Sequence, residues 1–148
     1  MLKKDASKTF VVLQIIVGVL TIAYWIFFLF VPDSVQSFPL SHSYMVYEKS
    51  FVAADMWMTF AFFLSAYYLL KKDVKGVLWG IIAGGTFVYL GCMDTLYNLE
   101  NGKYAFMFSS NPSQIGMILE LIINLASFIF GAVAILYVWG LIKTDNGK

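Results

Sequence analysis

Three carboxylic acids interrupt stretches of sequence that are otherwise apolar enough to cross a membrane. They are Asp55, Asp94 and Glu120, and none of the three stretches contains a Lys, Arg or His that would neutralise its acid. A carboxylate that faces lipid is costly, so each acid is expected to face the other helices. Buried acids of this kind can bind a cation or transfer protons, provided that they lie close together.

The depth of each acid predicts that the three meet. With a rise of about 1.5 Å per residue, Asp55 lies about 10 Å, Asp94 about 6 Å and Glu120 about 9 Å from the outer end of its stretch. Acids at one depth on three packed helices converge on one pocket. We therefore predict a buried acidic pocket in the outer half of the membrane, open toward the outer side.

The missing counter-charge has several explanations that the sequence leaves open. In the first explanation the acids are neutral, because burial and like-charged neighbours favour protonation. In the second they coordinate a hard cation such as calcium, magnesium or sodium. In the third they bind an organic cation against aromatic rings. They can also simply hydrogen-bond one another and fix helix packing. The candidate ligand-binding residues besides the three acids are Trp25, Glu48, Trp57, Tyr97, Asn98 and Asn124, with Tyr89 as a further ring.

Composition and hydropathy predict how these residues are positioned. The chain is 60% hydrophobic and 13% charged, whereas about a quarter of the residues in a soluble domain are charged. A stretch of about 20 apolar residues suffices to span a bilayer as a helix. We predict an all-α integral membrane protein of one domain, residues 1–148, with four transmembrane helices in an antiparallel bundle. The spans cover approximately residues 9–31, 50–70, 76–98 and 114–142, and residues 32–49 and 99–113 form loops.

The third span carries a smooth face made largely of small residues. At about 100° per residue, six residues lie within about 40° of one line: Gly80, Gly84, Phe87, Gly91, Asp94 and Asn98. Small residues permit close helix contact, so this helix is expected to pack centrally in the bundle. Whether the face packs within one chain or between two chains stays open, and a homo-oligomer is among the expected assemblies.

The lysines predict the orientation of the chain in the membrane. Eight of the ten flank the chain termini or lie in the turn at residues 71–75, and two lie on the opposite side. Loops rich in Lys face the cytoplasm, so both termini and this turn are expected there, and the plasma membrane is the expected location. The eight are Lys3, Lys4, Lys8, Lys71, Lys72, Lys75, Lys143 and Lys148; the two are Lys49 and Lys103.

Charge and motifs exclude several functional classes. A net charge of +1 and the absence of Arg give no basis for nucleic-acid binding. A single cysteine, Cys92, excludes an internal disulfide and a cysteine-based metal site. His42 and Glu48 match no known metal-ligand spacing, and no cofactor is expected apart from a bound cation. No catalytic signature such as Gly-x-Ser-x-Gly, His-Glu-x-x-His or a P-loop is present.

The leading functional prediction is binding, and in one version transport, of a cation or of a small cationic or lipid-like amphiphile. Membrane lipids are the other expected partners. The inner half of the bundle offers only a thin polar trail, which favours an outward-facing pocket over a pore. The trail consists of Gln14, Thr59, Ser65, Thr86 and Ser127.

Two alternatives stay open. The first is an isomerase-like enzyme that modifies lipids or isoprenoids and uses Asp55, Asp94 and Glu120 as catalytic acids and bases. Four spans with acids in an aromatic-rich bundle are similar in outline to the membrane sterol-isomerase and sigma-2-receptor group, at the level of architecture. The second is a structural membrane subunit whose acids are sealed by mutual hydrogen bonds.

Overall fold

The computed structural model describes residues 2, 5–31, 42–108 and 114–142, with the backbone alone at 42, 43, 106 and 114–116. Within these residues, four helices are long and apolar enough to cross a membrane. The predicted all-α bundle of four membrane-spanning helices is therefore confirmed. The helices are α1 (Lys8–Phe30), α2 (His42–Leu70), α3 (Lys75–Glu100) and α4 (Gln114–Gly140), with a short 3₁₀ helix over Lys103–Phe108 that is called the 3₁₀ segment below.

The second helix begins at His42, about two turns earlier than predicted. Residues 42–49 contain neither Gly nor Pro, so nothing in their backbone chemistry stops the helix at the membrane surface. The extension matters because it brings Tyr44 and Glu48 onto the same buried side of α2 as Asp55. Residues 32–41, the rest of the predicted loop, lie outside the described residues.

Consecutive helices pack against each other as antiparallel neighbours, α1 on α2, α2 on α3 and α3 on α4. The starts of α1 and α3 and the ends of α2 and α4 therefore lie together, at what is called the proximal end here; the opposite end is the distal end. At the proximal end α1 and α4 meet through side chains, with the Phe10 and Tyr137 rings 4.2 Å apart.

Aromatic side chains fill the centre of the bundle. The Phe62 ring lies 5.7 Å from the Phe130 ring and 6.0 Å from the Phe87 ring, and Phe62 has no exposed surface. Large apolar side chains such as Leu20 and Leu136 cover the outside of the bundle. A largely apolar exterior suits contact with lipid, as expected for helices that cross a membrane.

The glycine face of α3 packs against α4 within the same chain. A Cβ atom added at Gly84 would lie 2.7 Å from the carbonyl oxygen of Gly131, and one added at Gly80 would lie 2.8 Å from Val138. A Cβ atom at Gly91 would collide with the Ser127 hydroxyl. The face therefore serves helix packing in one bundle, with α3 placed between α2 and α4.

Polar residues in the proximal half tie three helices together. The Gln14 amide donates to the Ser65 hydroxyl at 2.9 Å, and that hydroxyl donates to the Gly76 carbonyl oxygen at 2.9 Å. Gln14 and Ser65 are fully buried. Two members of the predicted polar trail are thus engaged in helix packing.

Candidate functional site

Helix α2 contributes two acids, Asp55 and Glu48, to a cluster of polar side chains in the distal half of the bundle. Asp55 accepts a hydrogen bond from the Trp25 indole N–H, with 2.8 Å between Nε1 and Oδ2. This bond joins α1 to α2 inside the bundle, because Trp25 is buried. Glu48 lies about two turns nearer the distal end, where the Tyr24 hydroxyl donates to it at 3.5 Å and Tyr44 also hydrogen-bonds it.

The facing helices α3 and α4 contribute two matched acid–amide pairs. Asp94 of α3 hydrogen-bonds the side chain of Asn124 on α4. In the opposite sense, the Asn98 amide of α3 donates to the Glu120 carboxylate of α4. Both amides are buried, so each acid faces an amide across the α3–α4 contact. The Asn124 amide also donates to the Tyr104 hydroxyl of the 3₁₀ segment at 3.3 Å.

These acids lie close enough to interact through their charges. Asp94 interacts electrostatically with Glu48, Asp55 and Glu120, and Glu48 also interacts with Glu120. Four carboxyl groups from three helices therefore share one region of the distal end. Glu48 was predicted only as a ligand-binding candidate, and the early start of α2 is what brings it into this cluster.

Lys103, at the start of the 3₁₀ segment, enters the acid cluster from the loop. Its side chain is only 2% exposed, and its ammonium group interacts electrostatically with Glu120, Glu48 and Asp94. Burial lowers the pKa of the Lys103 ammonium, while the three carboxylates act in the opposite direction. The prediction that the acids lack a basic partner considered only residues within the spans. The counter-charge, Lys103, comes from the loop that follows α3.

Two tyrosine rings enclose this ammonium group. The Lys103 nitrogen lies 4.1 Å from the centre of the Tyr44 ring and 4.4 Å from the centre of the Tyr97 ring, within the range of a cation–π contact. The Tyr97 ring is itself stacked on Tyr47, with 3.5 Å between ring centres and 11° between planes. Tyr47 is anchored by a hydrogen bond from its hydroxyl to the Met93 carbonyl oxygen. The cation position therefore has aromatic faces as well as carboxylates.

Asn98 leaves one acceptor unused inside the cluster. The residue has no exposed surface, and its amide nitrogen bonds Glu120. Its oxygen Oδ1 has no hydrogen-bond partner among the described residues. A buried amide oxygen without a donor is costly, so the hydrogen bonding of the cluster is incomplete at this atom within the described residues.

Two predicted aromatic candidates lie away from the cluster. Trp57 is 47% exposed and contacts Phe60 and Trp79, while Tyr89 is 59% exposed. Trp57 follows Asp55 by two residues, which turns it by about 200° to the opposite side of α2. Both rings are partly exposed on the outside of the bundle, so the structure does not place them beside the acids.

Across the part of the chain that the structure describes, no three His, Cys, Asp or Glu side chains form a group that could hold a metal ion. The side chain of His42, considered with Glu48 from the sequence, lies outside that part. Cys92 is exposed and takes no part in the cluster.

The arrangement of acids, amides and tyrosine rings around one ammonium group defines a cation-holding cluster in a four-helix membrane protein. No protein-family model matches the chain, and neither curated proteins nor solved structures give a match.

Proposed function

We propose that this membrane protein binds an organic cation, carried on a small amphiphile, in the acidic and aromatic cluster at its distal end. One observation carries the proposal: an alkyl ammonium group, that of Lys103, lies buried there between the Tyr44 and Tyr97 rings. Carboxylates and ring faces are the groups that recognise organic cations in proteins. The same groups would accept an external cation of similar size.

An amphiphile fits the position of the cluster better than a metal ion does. Tyrosine rings offer a quadrupole to a soft organic cation, whereas calcium or magnesium needs six or more oxygen ligands at short distance. Asp94 lies about two turns before the end of α3, and Glu120 lies about two turns after the start of α4, so both are near the distal end of the bundle. A bound amphiphile would place its charged group among the acids and leave its apolar chain in lipid.

Binding is favoured over transport through the bundle. The Phe62, Phe87 and Phe130 rings fill the centre, and Gln14 and Ser65 are bonded to each other below them. A cation that left the distal cluster toward the proximal end would have to displace both layers. Transport would therefore require the helices to separate, and the proposal is limited to binding.

The first prediction tests the cluster with a cationic amphiphile. Saturating dodecyltrimethylammonium should raise the melting temperature of the purified protein in dodecyl maltoside by roughly 3 °C or more, because a ligand at ten times its Kd stabilises by about 1.4 kcal/mol. Asp94→Asn should lose this shift, because it removes a charge that interacts with the other acids. Scanning fluorimetry at several amphiphile concentrations would measure it.

The matched control for this experiment is Glu100→Gln, which removes an exposed acid from the last turn of the same helix. The control should keep the full shift, because a surface acid outside the cluster adds little to binding. Equal shifts in both variants, or no shift in the native protein, would support the structural-subunit alternative instead.

The second prediction concerns orientation, with both termini and the turn after α2 in the cytoplasm and the distal cluster facing outward. Ser7→Cys and Ala105→Cys, each in a Cys92→Ala background, place single exposed thiols at the two ends. A membrane-impermeant maleimide applied to intact cells should label Cys at 105 and spare Cys at 7. The reverse pattern would invert the orientation, and lysis should make both sites reactive.

A further inference from the structure

We propose that Lys103 is a tethered occupant of a primary-ammonium site, and that an external primary amine on an alkyl chain enters only when Lys103 and the 3₁₀ segment withdraw. This inference rests on the proposed function and deepens it in two ways. It names the chemical class of the cation, and it makes the chain's own lysine an intramolecular competitor for the site.

The acceptors in the cluster match a primary ammonium group. Such a group carries three N–H donors and no acceptor. Around Lys103 lie the carboxylates of Glu48, Asp94 and Glu120, together with the fully buried Asn98, whose Oδ1 has no donor among the residues described. A quaternary ammonium could use the tyrosine rings but has no N–H to donate to these acceptors. The ammonium that the chain itself places there, that of Lys103, is primary, so a primary amine is the external cation that matches the site.

The backbone around Lys103 brings its side chain back over the end of the bundle. Helix α3 ends at Glu100, and Gly102 adopts a positive φ of 62°, a conformation that glycine reaches without strain. The Gly102 N–H donates to the Leu99 carbonyl oxygen at 3.2 Å, which reverses the chain direction. Lys103 follows directly and so points its ammonium between the helices.

The 3₁₀ segment can withdraw without movement of a transmembrane helix. It lies on the end of the bundle, with Ala105 and Phe108 exposed, and the 3₁₀ hydrogen-bond geometry is weaker than that of an α-helix. The Tyr104 hydroxyl links it to Asn124 at 3.3 Å. Replacement of the Lys103 ammonium by an equivalent ammonium leaves the net charge of the cluster unchanged.

Competition by a tethered group has a measurable signature. The apparent affinity for an external ligand falls by the fraction of molecules in which the site is free. If Lys103 occupies the site in at least nine molecules of ten, its removal should tighten binding by at least roughly tenfold. A neutral, apolar side chain of similar length, as in Lys103→Met, removes the competitor, whereas Lys103→Arg keeps a tethered cation.

The probe is n-butylammonium, which reproduces the lysine side chain, compared with tetramethylammonium, which has no N–H donor. In phosphatidylcholine nanodiscs, Lys103→Met purified in butylammonium should bind it at least about tenfold more tightly than the native protein and Lys103→Arg do. The affinity for tetramethylammonium should increase less between the native protein and Lys103→Met. If nanodiscs that contain phosphatidylethanolamine weaken butylammonium binding to Lys103→Met, the ammonium source is a lipid head group; if they do not, it is a water-soluble amine.

A measurement on the native protein keeps the test decisive if Lys103→Met does not fold. Saturating butylammonium should accelerate amide hydrogen exchange across residues 103–108, because the segment withdraws, whereas an ordinary ligand would slow it. Equal butylammonium affinity in all three proteins, or slower exchange in the segment, would overturn the inference and leave the proposed function intact. Failure of every protein to bind any organic cation would overturn both.

Discussion

Lys103→Met is expected to lower the free energy of unfolding by about 3–5 kcal/mol, because removal of one partner from a buried charge pair leaves the other partner without compensation. Lys103 is 2% exposed, and its ammonium interacts with Glu120, Glu48 and Asp94. Water cannot take its place cheaply among buried carboxylates. Reversible unfolding in mixed detergent micelles, monitored by tryptophan fluorescence, would measure the change.

The double variant Lys103→Met/Glu120→Gln should recover part of this loss, because it removes one of the carboxylates that Lys103 balances. A coupling free energy of about 0.5–3 kcal/mol between the two positions is expected from a double-mutant cycle. The matched control is Lys49→Met, an exposed lysine near the same end of the bundle, which should change stability by less than about 0.5 kcal/mol. Equal effects of the two lysine variants would show that the ammonium of Lys103 contributes no more than a surface charge.

Butylammonium links this stability prediction to the tethered-lysine inference. If Lys103→Met loses stability because the carboxylates of the cluster lack their cation, added butylammonium should restore the stability in a concentration-dependent manner. Lys49→Met offers no site for such rescue. A defect that butylammonium leaves unchanged would instead trace the loss to packing between the Tyr44 and Tyr97 rings.

The sequence was sufficient to predict the four helices and the contact surface of α3. Long apolar stretches have few alternatives to a membrane helix, because every backbone polar group must be satisfied within lipid. The alignment of Gly80, Gly84 and Gly91 on one side of α3 is a property of helical geometry alone. The packing partner of that side, α4, is a tertiary contact that geometry within one helix does not determine.

The identity of the counter-charge was not predicted, because Lys103 belongs to a loop. Positions along a helix follow from a fixed rise and rotation, but the path of a loop depends on a few backbone angles. The Asn101–Gly102 dipeptide was the available signal, since it predicts a reversal of direction directly before a lysine. For Trp57, the angle of about 200° from Asp55 along α2 already indicated a position on another side of that helix.

The proposed ligand site itself rests on the structure more than on the sequence. Depth estimates for Asp55, Asp94 and Glu120 predicted that they share one level, yet they gave no information on hydrogen-bond partners. The pairing of Asp94 with Asn124 and of Asn98 with Glu120 depends on the register between α3 and α4. That register is set by the close approach at Gly84 and Gly131.

Gly84→Leu should therefore lower the free energy of unfolding by about 3 kcal/mol or more, at the upper end of the cost of overpacking a tight contact. Its Cβ atom alone would lie 2.7 Å from the Gly131 carbonyl oxygen and 2.9 Å from the Ile135 side chain. The backbone of α4 cannot rotate away from this contact, so the two helices would have to separate. Unfolding by a denaturing detergent, followed by circular dichroism, would measure the loss.

Gly85→Leu is the matched control, because it makes the same chemical change one residue along the same helix. A Cβ atom at Gly85 would meet nothing within 4 Å, and the position is exposed on the outside of the bundle. Both substitutions gain the same helix propensity over glycine, so the difference between them isolates the α3–α4 contact. Separation of the helices should also break the Asp94–Asn124 and Asn98–Glu120 pairs, and Gly84→Leu should lose amphiphile binding that Gly85→Leu keeps. Similar stability of the two variants would show that α3 and α4 do not approach each other at Gly84, and the register on which the cation-holding cluster depends would then be wrong.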